Sequence, residues 1–344
     1  MPLGERGEAQ TSNGLRYAGR PGHVESYFLR ANDPTRPRAV WLKATVFAPV
    51  HGDAQIESWL VYFDGERPAP VGGHETTRLR LGAFTEAADG VRVSACRMVL
   101  DLGAHGRATG EIETNVGAAR VDLSWEPSTS PVAEPLVMLR SRVLREGPFP
   151  RSKLLTPFPS LRFSGAIEVG GERIEVADWS GMQGHNWGRE HAFEYAWGQC
   201  LFPATAIEPE AMLEGFSARV RVGQALTPRV SCLVVRSGEH TLRFDRLFDL
   251  WRQDAALSKD RWTLTMTGID GEARLEMDAT DRPVACLGYR NPDGRLSYCL
   301  NSKLARVRLM VQPRRGAAFA RESAHGGALE FLQSHPDARF PDVL

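Results

Sequence analysis

The chain has 344 residues, 42% hydrophobic and 24% charged, with 42 Lys and Arg against 42 Asp and Glu. That length exceeds what one core usually supports, so two domains are expected. The zero formal net charge carries no nucleic-acid footprint, and the arginines at 306, 308, 314 and 315 read equally well as a solvated strand edge.

Residues 1–22 are polar and Gly-rich and read as a flexible N-terminus without a secretory signal or membrane anchor. No later stretch approaches the ~18 uninterrupted apolar residues of a membrane span. The cysteines (Cys96, Cys200, Cys232, Cys286, Cys299) are odd in number, and no two share metal-ligand spacing. Reduced thiols in a cytoplasmic protein are the expectation.

The local patterning is β. Residues 40–48 alternate, with Trp41, Lys43, Thr45 and Phe47 on one face and Val40, Leu42, Ala44 and Val46 on the other. Further strands are expected at 58–64, 91–102, 110–115 and 119–125. Residues 152–160 hold two prolines and little periodicity, and 147–160 read as a connection between halves. Beyond it a strand at 162–169 meets Gly170-Gly171, a two-residue hairpin signal, and returns at 172–179. Strands follow at 195–202, 214–222, 230–237, 241–248, 261–268 and 272–278, and a terminal helix is expected at 327–333. Amphipathic crossover helices are missing, so the fold class is all-β: two consecutive antiparallel barrels or sandwiches, over 23–150 and 151–344, with a short C-terminal helix.

The densest chemistry lies at 178–200, which holds three tryptophans, two histidines, four glycines, three amides and three acids. Aromatic faces with convergent polar groups are what a small-molecule site needs. His185 and His191 are not spaced as a helical ligand pair, so a catalytic metal is not expected. Phosphate-binding glycine loops and a G-x-S-x-G elbow are absent, so no nucleotide cofactor or hydrolase chemistry is expected. Gly181, Gly184 and Gly188 suggest unusual backbone around the histidine. Phe193, Tyr195, Trp197 and Gln199 share one strand face, and Ala196, Gly198 and Cys200 share the other, where small residues allow either a ligand or close packing.

The G-H-N-W-G core at 184–188, followed by Tyr195-Ala196-Trp197-Gly198-Gln199, resembles the carotenoid hydratase (hydroxyneurosporene synthase) and AttH-like group. Plant tocopherol cyclases carry a related pattern, and residues 25–28 and 41–47 resemble the first-half opening of the group. The resemblance implies two lipocalin-like (calycin) barrels in tandem, hydrophobic ligands, and no metal or nucleotide. It also implies hydration, cyclisation or pericyclic chemistry in some members and lipid binding alone in others. The hydratases carry an acid just before their H-N-W-G, where this chain has Gly184.

Two functions follow. The first is an enzyme that protonates an alkene of an isoprenoid- or polyketide-like molecule. Asp178, Glu190 and His185 are its candidate donors, and Trp187 and Trp197 its candidate cation stabilisers. The second is a carrier whose aromatic cup is walled by Trp187, Tyr195 and Trp197, with Gln183, His185, Asn186 and Gln199 orienting one polar end. The expected partner is a lipophilic small molecule, with membrane contact at most peripheral, for ligand exchange.

Overall fold

A computed structural model describes residues 13–87, 90–138, 140–222, 225–340 and 344. The first half and its extension hold β1 (His23–Asn32), β2 (Arg38–Ala48), β3 (Gln55–Asp64), β4 (Val71–Arg78), β5 (Phe84–Ala87), β6 (Gly90–Ala95), β7 (Met98–Leu102), β8 (Gly106–Thr114), β9 (Gly117–Pro127), β10 (Ser152–Val169) and β11 (Glu172–Gly188). The remainder holds β12 (Glu194–Phe202), β13 (Ala211–Arg219), β14 (Arg221–Val222), β15 (Ala225–Leu226), β16 (Val230–Ser237), β17 (His240–Phe244), β18 (Gln253–Leu257), β19 (Arg261–Gly268), β20 (Gly271–Asp278), β21 (Ala285–Arg290), β22 (Leu296–Pro313) and β23 (Phe319–Gln333).

These strands form two antiparallel, curled sheets in tandem, the lipocalin-like arrangement expected. The first sheet runs β4-β3-β2-β1-β11-β10-β9-β8-β7-β6-β5, and the second runs β17-β16-β13-β12-β23-β22-β20-β19-β18 with β21 added beside β22. Curling brings β4 to the end of β8, where the Gly72 amide donates to Asn115 Oδ1 at 3.3 Å. Each sheet wraps its own core, Leu29, Leu60, Leu100 and Leu161 in the first and Leu213, Trp262, Leu275 and Leu309 in the second. A third apolar layer, with Trp41, Trp59, Phe63, Met182, Leu287 and Leu304, lies between the sheets.

That layer explains the alternation of β2. Val40, Leu42 and Ala44 enter the first core, while Trp41 on the other face enters the seam rather than solvent. Both faces of the strand are therefore buried. Polar ties cross the same seam. Arg30 on β1 donates to the Gln199 side chain and to Gly326 O, and Asn32 Nδ2 donates to Lys303 O at 2.6 Å.

Several expectations are corrected. The sheets do not part at 150/151: β10 and β11 complete the first sheet, and the change of sheet falls between Gly188 and Glu194. Residues 152–160 are strand, not connection. Register shifts between Leu155 and Phe158 and between Phe158 and Leu161 accommodate Pro157 and Pro159, which cannot donate to a ladder. The helix expected at 327–333 is the end of β23. Leu329 and Phe331 face the second core while Ala328 and Leu332 face the seam, so apolar residues fall at consecutive positions and imitate a buried helix. The strand expected at 91–102 is two strands, divided at Cys96, whose φ is 53°. Residues 1–12 of the expected flexible N-terminus lie outside the described residues, and Asn13 is fully buried.

All five cysteines are free thiols. Among the described residues no helix is long and apolar enough to cross a membrane.

Candidate functional site

β11 carries the histidine motif straight through as extended strand, paired with β1 so that Tyr27 lies opposite His185 and Phe28 opposite Gly184. The glycines there serve close approach, not unusual backbone. A Cβ on Gly184 would lie 2.1 Å from the Phe28 ring, so only glycine lets that ring lie across the strand. Period-two alternation then divides the motif. Gln183, His185 and Trp187 share the face of Tyr27 and Leu29 inside the first barrel, whereas Met182, Gly184 and Asn186 face the seam.

Inside the first barrel the histidine belongs to a closed polar cluster. His185 Nε2 donates to Glu25 Oε1 at 2.9 Å, Tyr27 Oη donates to the same oxygen at 3.0 Å, and His23 Nε2 meets Glu25 Oε2 at 3.0 Å. The His185 ring stacks on Tyr27 at 4.3 Å and tilts against Trp187 at 4.8 Å. Burial by itself would raise the Glu25 carboxyl, but the hydrogen bonds from His185 and His23 outweigh it and hold it down at about 2. Gln183 exchanges two amide hydrogen bonds with Asn13, at 3.0 and 3.2 Å.

The cavity lies elsewhere, along the seam. It has a volume of about 380 Å³ and is walled chiefly by Phe28, Trp41, Tyr195, Trp197, Phe216 and Tyr289. Its outer part reaches Phe149, Leu247 and Trp251, which are 43%, 63% and 56% exposed and form an apolar mouth. Two other lining groups are Lys43 and Glu330, both buried.

Lys43 projects from β2 with its Nζ 3.7 Å from the Tyr289 ring centre, 5.7 Å from that of Trp59 and 5.9 Å from that of Trp41. Burial drives the ammonium down to about 8, with Lys303 acting the same way and the charges of Glu57 and Glu330 opposing. Glu330 is held by Lys303, whose Nζ is 2.6 Å from Oε1, and by Asn301 at 3.0 Å. Glu57 is taken by Arg290 and by His74 at 3.7 Å. Burial pushes the phenols of Tyr195 and Tyr289 well above their ordinary value, so both stay protonated as donors. Burial likewise lowers His191, which lines the cavity, to about 3 and leaves it neutral.

The structure separates the residues that sequence grouped. Asn186, Glu190, Tyr195 and Trp197 line the cavity, whereas His185, Asp178, Gln183, Trp187 and Gln199 do not. Asp178 has a φ of 53° and a side chain 74% exposed, 3.9 Å from Arg162. Glu190 is neutralised between Arg151 at 3.6 Å and Arg295 at 2.8 Å. Gln199 lies on the face of Tyr195 and Trp197 but beyond the cavity, where it accepts from Arg30 and donates to Pro159 O at 3.1 Å. The small face of β12 is close packing: a Cβ on Gly198 would lie 2.3 Å from Met277 Sδ.

Lys43, Tyr289 and Glu330 were not singled out from the sequence. The signal for Lys43 was present, a lysine between Trp41 and Phe47 in a strand whose other face is wholly apolar. Glu330 was hidden by the helical reading of its strand. Among the described residues no group of three or more His, Cys, Asp or Glu side chains is placed to hold a metal ion.

No family model matches the chain. It is similar to two uncharacterised proteins of Mycobacterium tuberculosis, from strains CDC 1551 and H37Rv, each 21% identical over 325 residues, covering 91% of this chain and 88% of the relative. In structure it is similar to a protein of Nitrosomonas europaea described as an AttH (TM-score 0.56, 14% identity, 94% of this chain and 95% of the other). It is also similar to kievitone hydratase from Nectria haematococca (TM-score 0.51, 10% identity, 90% and 88%) and to CghA (TM-score 0.50, 10% identity, 91% and 88%). At these identities the likeness shows the shared fold.

Proposed function

We propose that the chain binds one small lipophilic molecule, isoprenoid- or polyketide-like, in the seam cavity. On it the protein carries out a cofactor-free, non-redox reaction: hydration, cyclisation or isomerisation by proton transfer. The observation that carries this reading is the gathering of Lys43, Tyr195, Tyr289 and Glu330 in a cavity walled by Phe28, Trp41, Trp197 and Phe216. The volume of about 380 Å³ suits one small ligand, and a neighbour of the same fold is named a hydratase.

The acid in this reading is not one that sequence suggested. Asp178 and His185 do not reach the cavity, and Glu190 is ion-paired on its wall. The Lys43 ammonium, brought to about 8, exchanges a proton near neutral pH. It is too weak an acid to protonate an isolated alkene. It suits a carbonyl-conjugated substrate, where proton transfer runs through an enol or enolate that the ammonium stabilises. The Tyr195 phenol and the Glu330 carboxylate would then orient and relay the proton.

The same neutralised Glu190 favours a second reading, a carrier that holds its ligand unchanged. Native mass spectrometry of the purified chain is expected to show a co-purifying lipophile. Turnover and affinity for that molecule are then measured in wild type, Tyr195→Phe and Glu330→Gln. Turnover reduced by about tenfold or more with affinity kept supports catalysis. A wild type that never alters its ligand is a carrier, and a cavity that holds no lipophile overturns both readings.

A further inference from the structure

We infer that the ligand of this cavity carries one negative charge, as a carboxylate or an acidic enolate, and that Lys43 is the residue that binds it. This deepens the cavity reading above and rests on it.

The first observation is an unanswered charge. Lys43 is 4% exposed, lines the cavity, and among the described residues has no carboxylate within 4.0 Å of its Nζ. The two carboxylates of the cluster are already committed. Glu330 accepts from Lys303 and Asn301, and Glu57 is shared by Arg290 and His74. Lys43, Lys303 and Arg290 thus face Glu57 and Glu330, three cations against two anions. The remaining neighbours add no anion: Tyr195 on β12 and Tyr289 on β21 stay protonated, His191 in the loop before β12 is neutral, and burial raises the Cys299 thiol on β22. Aromatic rings solvate an ammonium only in part, and a buried charge is retained where something pairs with it.

The second observation is independent of that cluster. With Lys43 and Glu330 left out, the described residues that line the cavity include five Lys or Arg (Arg145, Arg151, Lys153, Arg221 and Arg295) and one acid, Glu190. Arg151 lies 3.6 Å from Glu190 and Arg145 lies 3.8 Å from Glu146, while Arg221 lies over the Phe193 ring at 4.6 Å. An excess of basic residues in the lining draws an anion inward, and Lys43 receives its head while the aromatic walls take its hydrocarbon body. A neutral terpenoid would use the walls and leave Lys43 unpaired.

The probes are laurate and dodecanol, which share a chain and differ in the head group. Their dissociation constants are measured by titration calorimetry at pH 7 on wild type and Lys43→Met. Wild type is expected to bind laurate at least tenfold more tightly than dodecanol, as a charged hydrogen bond in a buried site gives. Lys43→Met is expected to abolish that ratio and to keep dodecanol binding, which also shows that the variant is folded. In wild type the preference should hold between about pH 5, where the carboxylate ionises, and pH 8, then fade as the lysine loses its proton. Equal binding of the two probes by wild type, or a laurate preference intact in Lys43→Met or unchanged at pH 10, overturns the inference and leaves the lipophile reading standing. Binding of neither probe overturns both.

Discussion

At the scale of single residues, two buried titratable groups near the seam behave in opposite ways. Lys43 has no carboxylate within 4.0 Å among the described residues and faces the cavity, so its burial is offset only in part, by the aromatic rings around its ammonium. Glu214 on β13 does not line that cavity. Its oxygens accept from Thr156 at 2.9 and 2.8 Å and from Trp197 Nε1 at 3.1 Å, yet burial outweighs these bonds and raises its carboxyl to about 7. A carboxyl raised from 4.5 to about 7 on folding binds more protons in the folded chain between those values. Stability therefore falls as pH rises through that window, and the penalty is complete above about 7, on the order of 3 kcal/mol. Glu214→Gln should melt higher than wild type at pH 8, with the gap closing as pH falls toward 4.5. Thermal melts across that range check this, and a gap independent of pH would count against it.

His185 shows the limit of reading a residue by its motif. Its place among aromatic and polar neighbours was legible, since Trp187 and Tyr27 do surround it. Which side of the strand it faces was not, because that depends on the register with β1. A shift of one residue would have put His185 at the cavity in place of Asn186.

Among the elements, β11 and β12 were read with different success for a physical reason. β12 alternates large and small residues, so Tyr195 and Trp197 were correctly placed on one face and Ala196, Gly198 and Cys200 on the other. β11 is buried on both faces over its second half, and its three glycines imitated a loop. β23 carries the same double burial and imitated a helix. Two glycines that face crowded side chains, Gly198 and Gly184, should respond differently to substitution. Gly198→Ala places a methyl against Met277 and Trp262 in the second core and should cost about 1–3 kcal/mol, read as a lower midpoint in urea unfolding. Gly184→Ala pushes on the Phe28 ring, which is part of the cavity wall. Its larger effect should be on ligand affinity, measured beside the same unfolding curve; affinity equal to wild type would argue against that role for the wall.

For the whole molecule, the decisive feature is that the two sheets share a buried layer. Trp41, Trp59 and Phe63 from one sheet meet Leu287, Leu304 and Leu332 from the other, and Arg30 and Asn32 reach across. Neither half would keep that layer dry without its partner. One cooperative unfolding transition is therefore expected by calorimetry and by tryptophan fluorescence alike, and two separated transitions would show that the seam contributes little.

By itself the sequence determined the all-β character, two tandem sheets, the hairpin at Gly170-Gly171 and the aromatic face of β12. All of these follow from local alternation and turn chemistry, which a strand carries within its own residues. Only the tertiary structure decided where the sheets part, that the Lys43 face of β2 is interior, and that Lys43, Tyr289 and Glu330 meet at one cavity while His185 is turned away. Those outcomes depend on strand register and on two sheets packing face to face. Alternation says which residues share a face, and not which of two faces meets water, a core or a seam.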